Sequence, residues 1–69
     1  MEWINVVSSN IMAYRYFSPT KQLQVRFKTG KTYCYFDVPE SVYDELENAI
    51  SKGNFLNSTI KPNYRCVPL

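Results

Sequence analysis

The side chains able to do chemistry in this 69-residue sequence are eight Lys or Arg, six Asp or Glu, two Cys, one Trp, six Tyr and four Phe; histidine is absent. General acid–base catalysis near neutral pH most often uses histidine, and without one a Ser-His or Cys-His nucleophile cannot be assembled. The carboxylates offer no substitute, because Glu40, Asp44 and Glu47 recur on one helical face without a partner cation, the pattern of a solvated surface. Two glycines are too few for a phosphate-cradling loop. Cys34 and Cys66 lack the Cys-x-x-Cys spacing of an ordinary zinc site, so no metal and no other cofactor is expected. They read as reduced thiols, with a single bridge from the tail to the central strand as the alternative. Ser8 and Ser9 read as turn or capping residues. The expectation is a protein that is not an enzyme.

The chemistry left is charge. Residues 1–36 hold five basic residues and one acid, residues 37–50 hold five acids and no base, and residues 51–69 hold three bases and no acid. Acids at a helix start and a lysine at its end complement the helix dipole, which gives the pattern a structural explanation. The basic residues still need somewhere to point. If several of them converge they form a cationic surface suited to phosphate, and interleaved aromatic rings suit base stacking.

The elements that must position these groups read as an α+β fold: a small antiparallel β-meander of three or four strands packed on one amphipathic helix, with a short second helical turn and an extended C-terminal tail. One domain spanning residues 1–69 is the only size class that fits. A chain this short buries only about 60% of its surface, so a partner subunit or a ligand would help it. Ile4 to Val7 reads as a lead strand and Ile11 to Phe17 as a second, closed by a turn at Ser18-Pro19-Thr20. Strict alternation from Gln22 to Lys28 puts Leu23, Val25 and Phe27 on one face, and Thr29-Gly30 turns the chain into Lys31 to Phe36. Asp37-Val38-Pro39-Glu40 has the form of a capping box. The following helix, Glu40 to Lys52, gathers Val42, Tyr43, Leu46, Ala49 and Ile50 on one stripe, and Gly53 ends it as a left-handed cap. Asn54 to Lys61 adds a turn packing Phe55, Leu56 and Ile60, and Pro62 forces the tail to extend. No apolar run approaches the roughly 18 residues of a membrane span, and no export signal is visible, so a cytoplasmic protein without membrane contact is expected.

Loop length decides which side chains share a face of the hairpin. A two-residue turn places Arg26 opposite Tyr33 and Gln24 opposite Tyr35, leaving Arg26, Lys28, Lys31 and both tyrosines on a wet face as a stacking platform. A bulged three-residue loop shifts the register by one, so that Tyr33 and Tyr35 join Leu23, Val25 and Phe27 under the helix while Cys34 and Phe36 turn outward.

Ser8-Ser9-x-Ile11, Tyr16, Leu23-x-Val25-x-Phe27, Gly30, Tyr33-Cys34-Tyr35, Val38-Pro39, Ser51-Lys52-Gly53-x-Phe55-x-Asn57 and Ile60-Lys61 together resemble the KTSC domain, a short module found at the C-terminus of some lysyl-tRNA synthetases and as a stand-alone protein. The resemblance spans nearly the whole chain. It implies a β-meander followed by a helix and inward-facing tyrosines, hence the bulged register; nucleic-acid binding follows only by association with a tRNA enzyme. It also turns attention to the Ser51-Lys52-Gly53 to Asn57 segment, where small residues at a helix end leave room for a ligand. Tyr14, Arg15 and Phe17 depart from its pattern, and an exposed Tyr14 or Phe17 would suit a homodimer contact.

The functional expectation is a non-catalytic module for a phosphate-bearing ligand, RNA or a free or cyclic nucleotide. Its candidate ligand-binding residues are Arg26, Lys28, Lys31, Tyr33, Tyr35, Lys52, Asn57 and Lys61. It would act stoichiometrically, for example as a homo-oligomer capturing a nucleotide signal, a behaviour that would suit a viral counter-defence protein. The alternative is a protein–protein interaction module that uses the aromatic sheet.

Overall fold

The alternation in the Gln22–Phe27 strand becomes an alternation of burial: Leu23, Val25 and Phe27 are buried, while Gln22, Gln24 and Arg26 are half-buried on the opposite side. In the computed structural model, which describes residues 2–69, this strand is the middle of a five-stranded antiparallel sheet. Its members are β1 (Ile4–Asn5), β2 (Ile11–Phe17), β3 (Gln22–Phe27), β4 (Thr32–Tyr35) and β5 (Cys66–Pro68), side by side in sequence order. The meander is therefore longer than the three or four strands expected, because the extended tail pairs with β4. Helix α1 (Glu40–Asn48) follows the hairpin. After a break come α2 (Lys52–Phe55), a π-helical stretch (Leu56–Ile60) and α3 (Lys61–Asn63).

Leu23 faces Tyr35 and Val25 faces Tyr33 across the β3–β4 pair, which is the bulged register. The physical reason is Gly30. Its φ of +93° lets Lys28-Thr29-Gly30 form a three-residue loop, closed by Phe27 N–H donating to Lys31 C=O at 2.8 Å and Gly30 N–H donating to Phe27 C=O at 2.9 Å. Tyr33 and Tyr35 thus point inward, and the platform that would have joined them to Arg26 does not form.

The core lies between one sheet face and the helices. Ile11, Tyr14, Tyr16, Leu23, Val25, Phe27 and Tyr35 from the sheet meet Val38, Leu46, Leu56 and Ile60. Tyr14 is only 3% exposed, so it cannot serve a homodimer contact. Cys34 does turn to the other face, yet it is buried, because β5 makes β4 an interior strand and leaves Cys34 flanked by Gln24 and Val67. Cys66 pairs with Tyr35 on the opposite face, and both thiols are free.

The helix boundaries differ from expectation. Asp37 adopts a left-handed conformation at φ +59°, and Pro39 occupies the N-cap with no side-chain bond, so no capping box forms. Helix α1 stops at Asn48, and Ile50, expected on its apolar stripe, is fully exposed. A new helix starts instead, with Ser51 Oγ accepting the Asn54 N–H at 3.2 Å as its N-cap. Gly53 is not a left-handed terminator. It is buried in the first turn of α2, where a Cβ would lie 2.6 Å from Asn10 Oδ1. Pro62, which cannot donate, follows the π-helical stretch, whose wider turn is closed by Lys61 N–H donating to Leu56 C=O.

Candidate functional site

A cleft of about 730 Å³ opens at the tip of the β3–β4 hairpin, within the size range of small-molecule sites. Its walls come from distant parts of the chain: Ser9-Asn10 before β2, Lys28, Thr29 and Lys31 from the hairpin, Lys61 from α3 and Cys66 from β5. Phe27, Tyr33 and Tyr35 form an apolar floor. Two contacts hold the walls. Lys28 N–H donates to Asn10 C=O at 2.9 Å, tying the hairpin to the segment before β2, and Lys61 Nζ sits 5.0 Å from the centre of the Phe27 ring. The Phe27 and Tyr33 rings meet edge-on at 5.9 Å.

Five of the residues singled out from sequence, Lys28, Lys31, Tyr33, Tyr35 and Lys61, therefore share one cavity. The bulge explains how, since turning the tyrosines inward brings them beneath the lysines of the loop. Tyr35 is 2% exposed and lines the cleft, and no hydrogen bond holds its hydroxyl among the described residues. Burial, then the neighbouring Cys66 and Tyr33, push its pKa up to about 12. At neutral pH it is a protonated phenol lining the same cleft as Lys28, Lys31 and Lys61.

The other three candidates lie elsewhere. Lys52 and Asn57 line a separate polar recess of about 400 Å³ with Ser8, Ser9, Asn10 and Gly53. Lys52 Nζ donates to Glu47 C=O at 3.1 Å and to Ala49 C=O at 3.4 Å, so its charge caps the end of α1. Arg26 is on the far face of the sheet, 4.3 Å from the centre of the Trp3 ring. The sequence reading missed Ser9, Asn10, Phe27, Thr29 and Cys66 as cleft residues. Thr29 and Phe27 flank Lys28, a signal that was available, whereas nothing in the primary structure links Asn10 to the hairpin.

A family model for the KTSC domain matches residues 7–64. The chain belongs to the KTSC domain family. It is similar to a Tsukamurella paurometabola protein, 44% identical over 64 residues covering 93% of this chain and 96% of that one. It is also 44% identical over 57 residues to a lysine–tRNA ligase of Trichormus variabilis, covering 83% of this chain but only 10% of the ligase. The crystal structure of a KTSC domain protein from Yersinia pestis superposes with a TM-score of 0.94 at 31% identity, covering 99% of this chain and 96% of that one. The KTSC residues Ser51-Lys52-Gly53 form a structural joint here: Ser51 caps α2, Lys52 caps α1, and Gly53 lets Asn10 approach. No helix among the described residues is long and apolar enough to cross a membrane.

Proposed function

We propose that this KTSC domain is a non-catalytic binding module for a nucleotide, free or at the end of an RNA, held in the cleft at the hairpin tip. The observation that carries the reading is that Lys28, Lys31 and Lys61 line one cleft together with the aromatic residues Phe27, Tyr33 and Tyr35. The lysines neutralise phosphate, the half-buried Tyr33 ring offers a face to a base, and Tyr35 and the Ser9-Asn10 segment supply hydrogen bonds. The relationship to a domain within lysine–tRNA ligases supports a nucleotide-bearing ligand. Isothermal titration with nucleoside monophosphates, cyclic dinucleotides and inorganic phosphate tests it. At least one nucleotide should bind more tightly than phosphate alone, and Lys28→Ala with Lys61→Ala should weaken it by about tenfold or more. Equal affinity in that double variant, or no binding to the wild type at millimolar nucleotide, removes the reading.

A second reading, self-association or protein binding, is favoured by one patch. Val7 and Ile50 are fully exposed at 109% and 107%, line the same recess, and adjoin Ile4 on the unpaired edge of β1. Light scattering of the wild type against Val7→Asp with Ile50→Ser tests it. A homo-oligomer should dissociate in the variant, and a monomeric wild type at high concentration rejects it.

A further inference from the structure

The segment from Ser51 to Asn57 is only partly accounted for by the joint between α1 and α2. Ser51, Lys52 and Gly53 each hold that joint together, but the side chains of Asn54 and Asn57 take part in no hydrogen bond among the described residues. Both are exposed, and their spacing along one helical run puts them on the same face. They line the polar recess of about 400 Å³. Gly53 sets this recess beside the cleft at the hairpin tip. Because no Cβ stands between them, Asn10 packs directly on α2, and Ser9 and Asn10 line both cavities as a shared wall.

Charge divides between the two cavities. Lys28, Lys31 and Lys61 line the cleft, whereas the recess has one cation, Lys52, whose ammonium already serves the Glu47 and Ala49 carbonyls. No carboxylate lines either cavity among the described residues. What the recess has left is neutral. Asn54 and Asn57 contribute whole carboxamides, and Asn10 contributes its amide N–H groups, since its Oδ1 accepts the Ser8 hydroxyl at 3.1 Å. The fully exposed Val7 and Ile50 add apolar surface to the same lining.

We propose that the recess is a second subsite, taking the nucleoside next to the one held in the cleft, so that the ligand is at least a dinucleotide. The inference rests on the cleft being a nucleotide site. A nucleoside is uncharged, with donors and acceptors along the edge of its base and an apolar base face. Carboxamides, which both donate and accept, suit the edge, and the two aliphatic side chains suit the face. The phosphodiester joining the two nucleosides falls at the Ser9-Asn10 wall, on the border of the lysine-lined cleft.

Titration calorimetry of the full chain tests it by comparing, for each common base, a nucleoside 3′,5′-bisphosphate with the 5′-phosphorylated ribodinucleotide. The two compounds have equal numbers of phosphate groups and the dinucleotide has the smaller charge, so a gain in affinity belongs to the second nucleoside. For at least one base the dinucleotide should bind about tenfold more tightly. Asn54→Ala with Asn57→Ala should remove most of that gain and leave the bisphosphate affinity unchanged, which also shows that the cleft is still formed. Asn57→Asp, nearly isosteric at an exposed position, should reduce the gain as well. Lys28→Ala with Lys61→Ala should weaken both compounds. If the bisphosphates bind and no dinucleotide binds more tightly, the subsite is overturned while the cleft reading stands. A gain that survives the asparagine substitutions overturns it equally. If neither compound binds at millimolar concentration, the cleft reading fails and the subsite falls with it.

Discussion

The Tyr16 hydroxyl donates to the Val38 carbonyl at 2.5 Å, while the Tyr16 ring lies nearly parallel to Tyr43 with centroids 4.3 Å apart. A strand, the chain entering α1 and α1 itself are joined through this one side chain. Val38 is fully buried, so its carbonyl has no water to turn to. Tyr16→Phe should therefore cost about 1–3 kcal/mol, the penalty for an orphaned buried acceptor, which in a domain this small lowers Tm by about 4–8 °C per kcal/mol. Urea and thermal melts check it, and an unchanged Tm would show that the bond contributes nothing.

Gly53→Ala places a methyl 2.6 Å from Asn10 Oδ1 and 3.3 Å from Ser8 Oγ. Asn10 cannot swing aside freely, because its Oδ1 accepts the Ser8 hydroxyl at 3.1 Å. The substitution should destabilise by about 1–3 kcal/mol as an overpacked site does. Adding Asn10→Ala should recover part of the loss, a coupling that a double-mutant cycle reads directly. Additive losses would mean that Gly53 is needed for some other reason.

Lys52→Ala removes the ammonium that binds the Glu47 and Ala49 carbonyls at the end of α1. The expected loss of stability is about 0.3–1 kcal/mol and declines with added salt. Nucleotide affinity should not change, since Lys52 lies outside the hairpin cleft. A tenfold fall in affinity without a stability change would reverse the assignment and make the polar recess the site.

Alkaline pH should unfold the protein. Burial is the main cause raising the pKa of Tyr14, Tyr16, Tyr35 and Tyr43, with nearby Glu47 acting on Tyr14 and Tyr43, and Glu40 and Asp44 on Tyr16. Above the unfolded value of 10.0 the unfolded chain has lost tyrosine protons that the folded chain retains, so stability falls as pH rises. It is intact below pH 10.0 and declines through the Tyr35 value of about 12. Tyrosine ionisation followed by ultraviolet absorbance should lag in the native protein and jump on unfolding. A smooth titration centred at 10.0 with no loss of structure would contradict the burial of these rings.

Local patterns carried much of this fold. The alternation of Leu23, Val25 and Phe27, the turn at Gly30 and the apolar spacing of Val42, Tyr43 and Leu46 each express a period or a backbone preference that a short stretch of chain contains in full. The cleft lysines Lys28 and Lys31 were legible for the same reason, since the loop between them sets their relation. What tertiary structure alone decided depends on residues far apart in sequence. Pairing of β5 with β4 buried Cys34, the close approach of Asn10 gave Gly53 its purpose, and the pairing of β2 with β3 set Arg15 and Arg26 on one face, where Trp3 lies 4.3 Å from each. Such contacts follow from how elements pack, and side-chain type or spacing along the chain does not encode which distant partner will arrive.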